Sequence, residues 1–476
     1  MSRPRGKGQP TFSAILGLSP PFSVPARAVT PGCYNHEGSN PRPPLESFQE
    51  LPNMRFLSEP QIELIRERFG TPVYVYDQAL LEKAAEEVIA FPAPCPLVGR
   101  YAMKSSPNRS VLRVLADKGL HIDASSGYEA ERALAAGIAP DKIQITAQEI
   151  PKDLKGLVQR GVLYNACSLH QLRTFGELFP GSELSVRINP GLGSGHNKRT
   201  NVGGPSSSFG IWHAKIDDVL AIASEFELRV TGLHTHIGSG GDPEVWKRCA
   251  ALTLDIARQL PDLTRLSLGG GFKVARLPGE TSADLQEIGR ALAEDLAGYV
   301  AGRGEAFQLE IEPGTYLVAN AGAILSEIID IVDTRTPASE SGPAEEGNTF
   351  LKVDTGMTEL LRPSLYGAQH PLHVVPHGHD AATEEVDYLI AGHCCESGDI
   401  LTPAPGDPEG LAPRRLAKAE IGDTLVIEGT GAYAAGMNAK NYNAFPEAAE
   451  VMIDLNGELR LVRKRQTLDQ VLQNEI

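Results

Sequence analysis

The chain has 476 residues, a formal net charge of −16 and six cysteines. The acidic balance argues against a nucleic-acid partner and an anionic membrane surface, and no apolar run approaches the roughly 20 residues that span a bilayer. So few cysteines in so long a chain indicate a reducing, cytoplasmic compartment, and Cys394-Cys395 lacks the CxxC spacing of a zinc site, so no metal is expected.

The N-terminal region divides into two segments. Residues 1–57 are rich in Pro and Gly without sustained periodicity, which predicts a flexible extension. Ser58 with Gln61 resembles a capping box, apolar residues then repeat at helical spacing, and Gly70 ends the helix. A strand, TPVYVYD, follows, and we expect the segment 58–79 to join the C-terminal domain.

Residues 80–325 alternate apolar or β-branched runs with helical patterns. Eight such alternations are typical of a (β/α)₈ TIM-type barrel, whose active sites gather at the carboxyl ends of the strands. An open doubly wound sheet is the alternative, but its G-x-G-x-x-G turn is missing. The candidate strands are LVGRYAM, LHIDA, IQITA, LYNAC, ELSVRI, VTGLHTHI, RLSLG and FQLEI.

The pattern changes after Ala321 to a period of two. Runs such as TFLKVDTG, EEVDYLIAG, DTLVIEG and AAEVMID are separated by Pro, Gly and Asp turns. This spacing predicts a second, mainly antiparallel β domain over 326–476, with TPAPGDPEG as an exposed loop within it.

Lys104 ends the first barrel run, in YAMKS. Most lysines at strand ends are simply solvated. An imine-forming lysine must instead be partly desolvated, so that its amine is neutral and nucleophilic. The apolar approach and the position after a barrel strand favour a Schiff base with pyridoxal phosphate (PLP), provided that the remaining groups of such a site follow in the chain.

A phosphate group needs donors that can approach it closely. Glycines without a Cβ let backbone N–H groups do so, although a glycine cluster is by itself only a tight turn. The position of LGGGF after the seventh strand, where barrels commonly bind phosphate, favours the first interpretation. The candidate donors are Gly269, Gly270 and Gly271, together with Ser239, Gly240 and Gly314.

Two further residue types suit the pyridine ring. Glu312 ends the eighth strand, and a carboxylate beside the ring nitrogen would keep it protonated and make the ring a better electron sink. A rim acid paired with an arginine is the structural alternative. His236 could stack on the ring, but His234 faces the same side of its strand, so the spacing leaves the choice open.

Cys395 and Glu396 lie in HCCESGD, in the predicted β domain. Quenching a carbanion after carbon dioxide leaves requires a proton donor, and a thiol can serve. Free cysteine is more often a small buried apolar residue. Cys394 suits that structural role better, because strand alternation points it away from Cys395.

This ordered set resembles the fold-type III PLP-dependent decarboxylases, and within them the diaminopimelate decarboxylases, from about Thr71 to the C-terminus. The most specific pieces are YAMKS, HTHIGSG, CESGD, LLRPSLYGAQHP and GAYAAGMNAKNYN. The resemblance implies decarboxylation of meso-diaminopimelate to L-lysine, with the imine on Lys104, Glu312 at the pyridinium and His236 on the ring. It assigns the phosphate to Ser239, Gly240, Gly269, Gly270, Gly271, Gly314, Thr315 and Tyr433.

The resemblance also implies a head-to-tail homodimer with shared active sites. Cys395 and Glu396 would then come from the other subunit. Arg362 and Tyr366, in RPSLY, match residues that hold the distal carboxylate of the substrate, and Tyr433 also contacts the substrate. A bidentate arginine suits a carboxylate geometrically.

One departure from the family leaves the substrate open. The family usually has EPGR, whose arginine contacts the distal carboxylate, whereas this chain has Thr315 in EPGT. Losing one of two guanidiniums costs about 1.5–3 kcal/mol unless another residue substitutes. The alternative is therefore a decarboxylase of D-ornithine, D-lysine or a citryl-diamino acid of siderophore synthesis. A non-catalytic homologue is disfavoured because Lys104 and Cys395 are both present.

Overall fold

The computed structural model describes residues 53–192, 203–236, 240–301, 303, 307–336 and 347–476. The predicted flexible extension lies outside the described residues up to position 52, as does Ser239. The strands are β1 Val73–Asp77, β2 Leu97–Ala102, β3 His121–Ala124, β4 Ile143–Ile145, β5 Leu163–Ala166, β6 Glu183–Asn189, β7 Ile211–Trp212, β8 Arg229–His234, β9 Arg265–Ser267, β10 Gln308–Ile311, β11 Gly322–Asp333, β12 Thr349–Val353, β13 Leu372–Val375, β14 Glu385–Ala391, β15 Pro403–Ala404, β16 Asp407–Leu411, β17 Arg414–Ala417, β18 Thr424–Glu428, β19 Ala449–Ile453 and β20 Leu459–Arg463.

The helices of the described residues fall mostly between the strands of the first domain. Several begin with a side-chain cap: Ser126, Ser168 and Asp284 each accept a hydrogen bond from a backbone N–H of the first turn that follows. They are α1 Glu59–Phe69, α2 Gln78–Ile89, α3 Arg109–Asp117, α4 Gly127–Ala135, α5 Leu154–Gln159, α6 Leu169–Leu178, α7 Ile216–Glu225, α8 Pro243–Ala257, α9 Leu285–Val300, α10 Thr315–Val318, α11 Arg362–Tyr366 and α12 Leu468–Leu472.

Eight parallel strands close into a barrel, which confirms the predicted (β/α)₈ fold. Their order is β2-β3-β4-β5-β6-β8-β9-β10, and β10 pairs in turn with β2. All eight candidate strands are present, and the short strand β7 adds to β6 in parallel. Barrel strands are covered on both faces, which explains why they are recognisable as continuous apolar runs.

A buried ion pair lies inside the barrel. Arg100 on β2 donates from Nε and Nη2 to the two carboxylate oxygens of Glu310 on β10, at 3.0 and 2.8 Å. Both side chains are almost fully buried. The bidentate geometry ties the first and last barrel strands together where the barrel closes.

The second domain is built on a mixed sheet with mainly antiparallel pairs, as predicted. Its strand order is β17-β14-β12-β11-β1-β19-β20, with β18 pairing β11 and β13. The exceptions are β1 with β19 and β12 with β14, which are parallel. Strand β1 thus carries the chain from α1 into this sheet, and Ile62 and Ile65 of α1 pack in a core beside it.

One predicted loop forms a hairpin instead. TPAPGDPEG was expected to be exposed because of its Pro, Gly and Asp content, but β15 pairs antiparallel with β16 there, and Thr402 is fully buried. The tip of this hairpin packs against Gly367, where even a Cβ would come within 2.4 Å of the Asp407 nitrogen. The segment therefore forms a hairpin with a buried base, while its tip, residues 405–407, is exposed as expected.

Candidate active site

A cavity of about 780 Å³ lies where the carboxyl ends of the barrel strands meet the β domain. Its volume is in the range of small-molecule sites in proteins. The barrel contributes Ala102, Lys104, Asp123, Thr146, Arg187, His234, His236, Gly271, Glu312, Gly314 and Thr315, and the β domain contributes Arg362, Tyr366, Gln369, Pro405, Gly406 and Tyr433. Residues far apart in the sequence thus converge as the barrel fold requires.

Lys104 lies in a single 3₁₀ turn, Met103–Ser105, directly after β2. The turn is held by two hydrogen bonds: Ser105 Oγ donates to the Ala102 carbonyl at 2.8 Å, and the Tyr433 N–H donates to the Ser105 carbonyl at 2.7 Å. Met103 and Ser105 are buried, whereas the Lys104 side chain is exposed and lines the cavity. The fold therefore presents one amine to the cavity from a fixed backbone.

Glu312 follows β10 and is buried at the cavity wall. Its Oε1 accepts a hydrogen bond from Ser267 Oγ at 3.0 Å, and its Oε2 lies 3.0 Å from His234 Nε2. Burial would raise the pKa of Glu312, but the neighbouring His234 and the hydrogen bond from Ser267 outweigh it and lower the pKa to about 2. The carboxylate is ionised at neutral pH and can balance a positive charge in the cavity.

The two histidines that the sequence left undecided have different surroundings. His234 is almost fully buried, with Nδ1 2.8 Å from Asn165 Nδ2 and Nε2 beside Glu312. Burial, with the nearby Arg187 charge, holds the pKa of His236 well below its ordinary value, so this ring is neutral. His234 is thus held between Asn165 and Glu312, whereas His236 places a neutral imidazole ring in the cavity lining, which suits stacking on a planar ligand.

The glycines of LGGGF are required by close packing as well as by any ligand. Gly269 has a φ of +70°, and a Cβ there would lie 2.4 Å from the Thr235 carbonyl oxygen. A Cβ on Gly270 would lie 2.1 Å from the Glu312 carbonyl oxygen. Gly240 donates its N–H to the Gly271 carbonyl at 2.8 Å. Gly271 and Gly314 line the cavity, whereas Gly240, Gly269 and Gly270 are not among its lining residues.

Tyr433 reaches the cavity from the loop after β18. Its φ of 56° is left-handed, a conformation that costs a non-glycine residue of order 1–3 kcal/mol and clusters at ligand sites. The backbone N–H of Tyr433 is bonded to the lysine turn, so this loop and Lys104 are positioned together. The strained conformation places the tyrosine side chain in the cavity lining.

Arg362 and Tyr366 are the first and last residues of the short helix α11, and both line the cavity. Arg362 Nη1 is buried without a hydrogen-bond partner among the described residues. Burial lowers the pKa of this guanidinium, and no described carboxylate forms an ion pair with it. An arginine in this state is suited to an anionic ligand.

The structure does not bring Cys395 and Glu396 into this cavity. Both are exposed, and Glu396 lines a separate shallow pocket with Met357 and residues 439–442. The Cys395 N–H donates to Asn443 Oδ1 at 2.8 Å, which fixes the loop. Cys394 is buried, as the alternation predicted, and burial raises the pKa of its thiol to about 12.

Several cavity residues were not singled out by the sequence. Asp123 is the third residue of β3, and burial together with the Glu312 charge raises its pKa to about 7. An acid inside the apolar run LHIDA was the signal available for it. Arg187 on β6 likewise interrupts an apolar run and lies over the Phe209 ring, 5.0 Å from its centroid. Arg276, in the loop after β9, also lines the cavity, and no sequence pattern marks it.

Comparison with known proteins defines the class to which this fold and site belong. The family model for the pyridoxal-binding domain of pyridoxal-dependent decarboxylases matches residues 80–319. Diaminopimelate decarboxylase from Streptomyces coelicolor is 35% identical over 430 residues, which cover 88% of this chain and 92% of that protein.

Solved structures agree with this classification. A crystal structure of diaminopimelate decarboxylase superposes with a TM-score of 0.78 at 32% identity, covering 89% of this chain and 98% of that one. A variant of the Helicobacter pylori enzyme, complexed with L-lysine, has a TM-score of 0.74 at 25% identity, covering 87% and 98%. The chain belongs to the diaminopimelate decarboxylase family.

Pyridoxal phosphate is the cofactor of this class, and the residues present fit it. The cavity offers an amine on Lys104, an ionised carboxylate on Glu312 and a neutral ring on His236. Gly271 and Gly314 line the same cavity, and residues without a Cβ allow backbone N–H groups to approach a phosphate closely. These groups thus suit three parts of the cofactor: the amine suits its aldehyde, the carboxylate suits its pyridine nitrogen, and the imidazole suits the face of its ring.

Proposed function

We propose that this enzyme decarboxylates meso-2,6-diaminopimelate at its D centre, giving L-lysine and carbon dioxide. The observation that carries the proposal is the presence of Lys104 and the unpaired Arg362 in one cavity. Such a site suits an amino acid with a second, distal carboxylate. Pyridoxal phosphate supplies the electron sink that accepts the bonding pair left when carbon dioxide departs.

The residues of this chain would divide the remaining work. Lys104 would hold the cofactor through its amine, and Glu312 would favour a positive charge on the pyridine nitrogen. His236 would pack on the ring, while Gly240, the loop from Gly269 to Gly271 and Gly314 would surround the phosphate, with Ser239, Thr315 and Tyr433 as further contacts. Arg362 and Tyr366 would orient the distal end of the substrate.

The alternative substrates are not favoured. D-Lysine and D-ornithine lack a distal carboxylate, so they would leave the buried guanidinium of Arg362 without a partner, which is costly. Relatives that are 31–35% identical to this chain over most of its length are diaminopimelate decarboxylases.

The direct test is turnover by the purified holoenzyme. We expect release of L-lysine from meso-diaminopimelate, with much lower kcat/KM for D-lysine and D-ornithine. Lys104→Ala should lose activity on the order of 10³-fold or more, together with the visible absorbance of the bound cofactor. Release of no L-lysine, or preference for D-ornithine, would refute the proposed substrate.

We propose further that the active enzyme is a head-to-tail homodimer. Cys395 and Glu396 are exposed and lie outside the cavity of their own subunit. Asp399 fixes the loop before them, because it accepts hydrogen bonds from the Met357 N–H at 2.7 Å and the Cys394 N–H at 2.9 Å. In a dimer, Cys395 would give its proton to the α-carbon in the neighbouring cavity, and Glu396 would contact that substrate.

Mixed dimers test this arrangement. Lys104→Ala and Cys395→Ala are each expected to be inactive, but one site of their heterodimer would have both residues. Random assortment should therefore restore about a quarter of wild-type activity. The matched control pairs Lys104→Ala with Arg362→Met, which lie in the same cavity and should not complement. Absence of any recovery in the first mixture would contradict a shared site.

We also propose that the enzyme is cytoplasmic. The cysteines among the described residues, Cys95, Cys167, Cys249, Cys394 and Cys395, are all free thiols, which suits a reducing compartment. No helix in the part of the chain that the structure describes is long and apolar enough to cross a membrane. Fractionation of cells that express the full chain, with enzyme activity as the marker, tests the location.

A further inference from the structure

Thr315 leaves the proposed substrate with one arginine fewer than the usual EPGR motif provides. Thr315 lines the cavity at the start of α10 but cannot carry the missing charge. A second arginine, Arg276, lines the same cavity from the loop between β9 and α9. Arg276 and Arg362 thus line one cavity, and Arg276 is a candidate to supply the guanidinium that Thr315 lacks.

The loop around Arg276 is fixed by several hydrogen bonds. The N–H groups of Arg276 and Leu277 donate to Glu280 Oε2 at 2.6 and 3.0 Å. Asn320 Nδ2 donates to the Ala275 carbonyl at 3.0 Å, and the Arg276 Nε donates to the Gly429 carbonyl of the β domain at 3.0 Å. The guanidinium is therefore positioned by both domains before any ligand binds.

The guanidinium of Arg276 is nevertheless incompletely satisfied. Its Nη2 is buried and has no hydrogen-bond partner among the described residues, like Nη1 of Arg362. Burial, followed by repulsion from Arg362, lowers the pKa of Arg276 to about 9. Two guanidiniums that repel each other, each with a buried unpaired nitrogen, are stabilised by an anion between them.

We infer that Arg276 and Arg362 together bind the distal carboxylate of the substrate, with Arg276 replacing the arginine that Thr315 lacks. This inference rests on the proposed function. The cofactor phosphate is the competing anion for Arg276. The strongest electrostatic influence on Arg276 comes from Arg362, which is assigned to the distal carboxylate, and this proximity favours the carboxylate.

The experiment compares two ligands that differ by one carboxylate. L-Lysine keeps the distal carboxylate of the substrate, whereas cadaverine lacks it. In the holoenzyme, Arg276→Met should weaken L-lysine binding about 10- to 100-fold, the loss of one charge-assisted hydrogen bond, and leave cadaverine binding unchanged. KM for meso-diaminopimelate should rise by a similar factor, with little change in the Kd of pyridoxal phosphate.

Arg113→Met is the matched control. The Arg113 Nε also donates to a backbone carbonyl, that of Ala136 at 2.8 Å, but Arg113 does not line the cavity. This variant should bind both ligands as the wild type does. Adding Thr315→Arg to Arg276→Met should restore L-lysine affinity, because it returns a guanidinium to the family position.

The outcomes separate the inference from the proposed function. If wild type neither binds L-lysine nor turns over meso-diaminopimelate, the proposed function fails. If wild type does both but Arg276→Met behaves like Arg113→Met, only the role of Arg276 is overturned. A weaker Kd for pyridoxal phosphate with an unchanged ratio of L-lysine to cadaverine binding would instead assign Arg276 to the phosphate, and would also overturn the inference.

Discussion

Buried arginines in the barrel interior and at the cavity differ in their partners. Arg100 makes two short hydrogen bonds to Glu310, and the pair closes the barrel. Arg276 and Arg362 form no ion pair with any carboxylate of the described residues, and each keeps a buried nitrogen without a partner. Arg100 also keeps a buried Nη1 without a partner, but Glu310 balances its charge, whereas no carboxylate of the described residues balances the charges of Arg276 and Arg362. An anion from outside can therefore complete the second arrangement.

This difference has a physical consequence. A buried charge without a partner destabilises the fold, while the same charge beside a carboxylate is tolerated. The cavity therefore holds incomplete ion pairs that a carboxylate substrate can complete. Substitutions that break a pair should lower stability, and substitutions that remove an unpaired charge should lower ligand affinity instead.

The largest expected effect on stability comes from breaking the barrel pair. Glu310→Gln leaves Arg100 charged and buried, and should lower the free energy of unfolding by about 3–5 kcal/mol. Denaturant unfolding measures it. The control is Glu385→Gln, which removes one of the two exposed carboxylate partners of Arg415 and should cost at most about 1 kcal/mol. Equal losses in the two variants would contradict the contrast.

Glu312 belongs to the cavity but is satisfied by His234 and Ser267. Glu312→Gln cannot balance a positive pyridine nitrogen, so we expect kcat to fall on the order of 10²- to 10³-fold. Ser267→Ala removes only one hydrogen bond to the same carboxylate and should have a much smaller effect. A Glu312→Gln enzyme with wild-type kcat would exclude the proposed contact.

A third situation is a buried carboxyl group whose pKa is controlled mainly by burial rather than by an ion pair. Glu359 accepts hydrogen bonds from Thr358 and Thr355 at 2.6 and 3.2 Å, but burial dominates and raises its pKa to about 7. Because the folded state then binds more protons than the unfolded state above the ordinary pKa, stability should decrease as the pH rises through this interval.

The matched variant for this effect is Glu359→Gln, which cannot titrate. Its free energy of unfolding should gain about 2 kcal/mol relative to wild type between about pH 5 and about pH 7.5. Thermal unfolding across this range measures the difference. A constant difference at all pH values would show that the Glu359 pKa is the same in both states.

The sequence predicts the barrel better than its surroundings, for physical reasons. Strands buried on both faces form continuous apolar runs, and residues directly after them must converge, which locates Lys104 and Glu312. Short strands such as β15 and β16 contain Pro, Asp and Gly, so their composition indicates a loop although tertiary packing makes a hairpin. Arg276 lies inside a long loop, and only the folded chain shows that it lines the same cavity as Arg362.

The smallest expected effect is on the stability of the Arg362→Met variant. Methionine is apolar and removes an unpaired buried charge, so the free energy of unfolding should stay the same or rise by less than about 1 kcal/mol, opposite in sign to Glu310→Gln. With saturating L-lysine, wild type should become more stable than the variant. At about 100 times its Kd, L-lysine stabilises wild type by about 2.7 kcal/mol. It stabilises the variant less, because the variant binds L-lysine more weakly. Thermal unfolding with and without L-lysine tests both signs, and a large loss of stability in the free variant would mean that Arg362 is a structural residue.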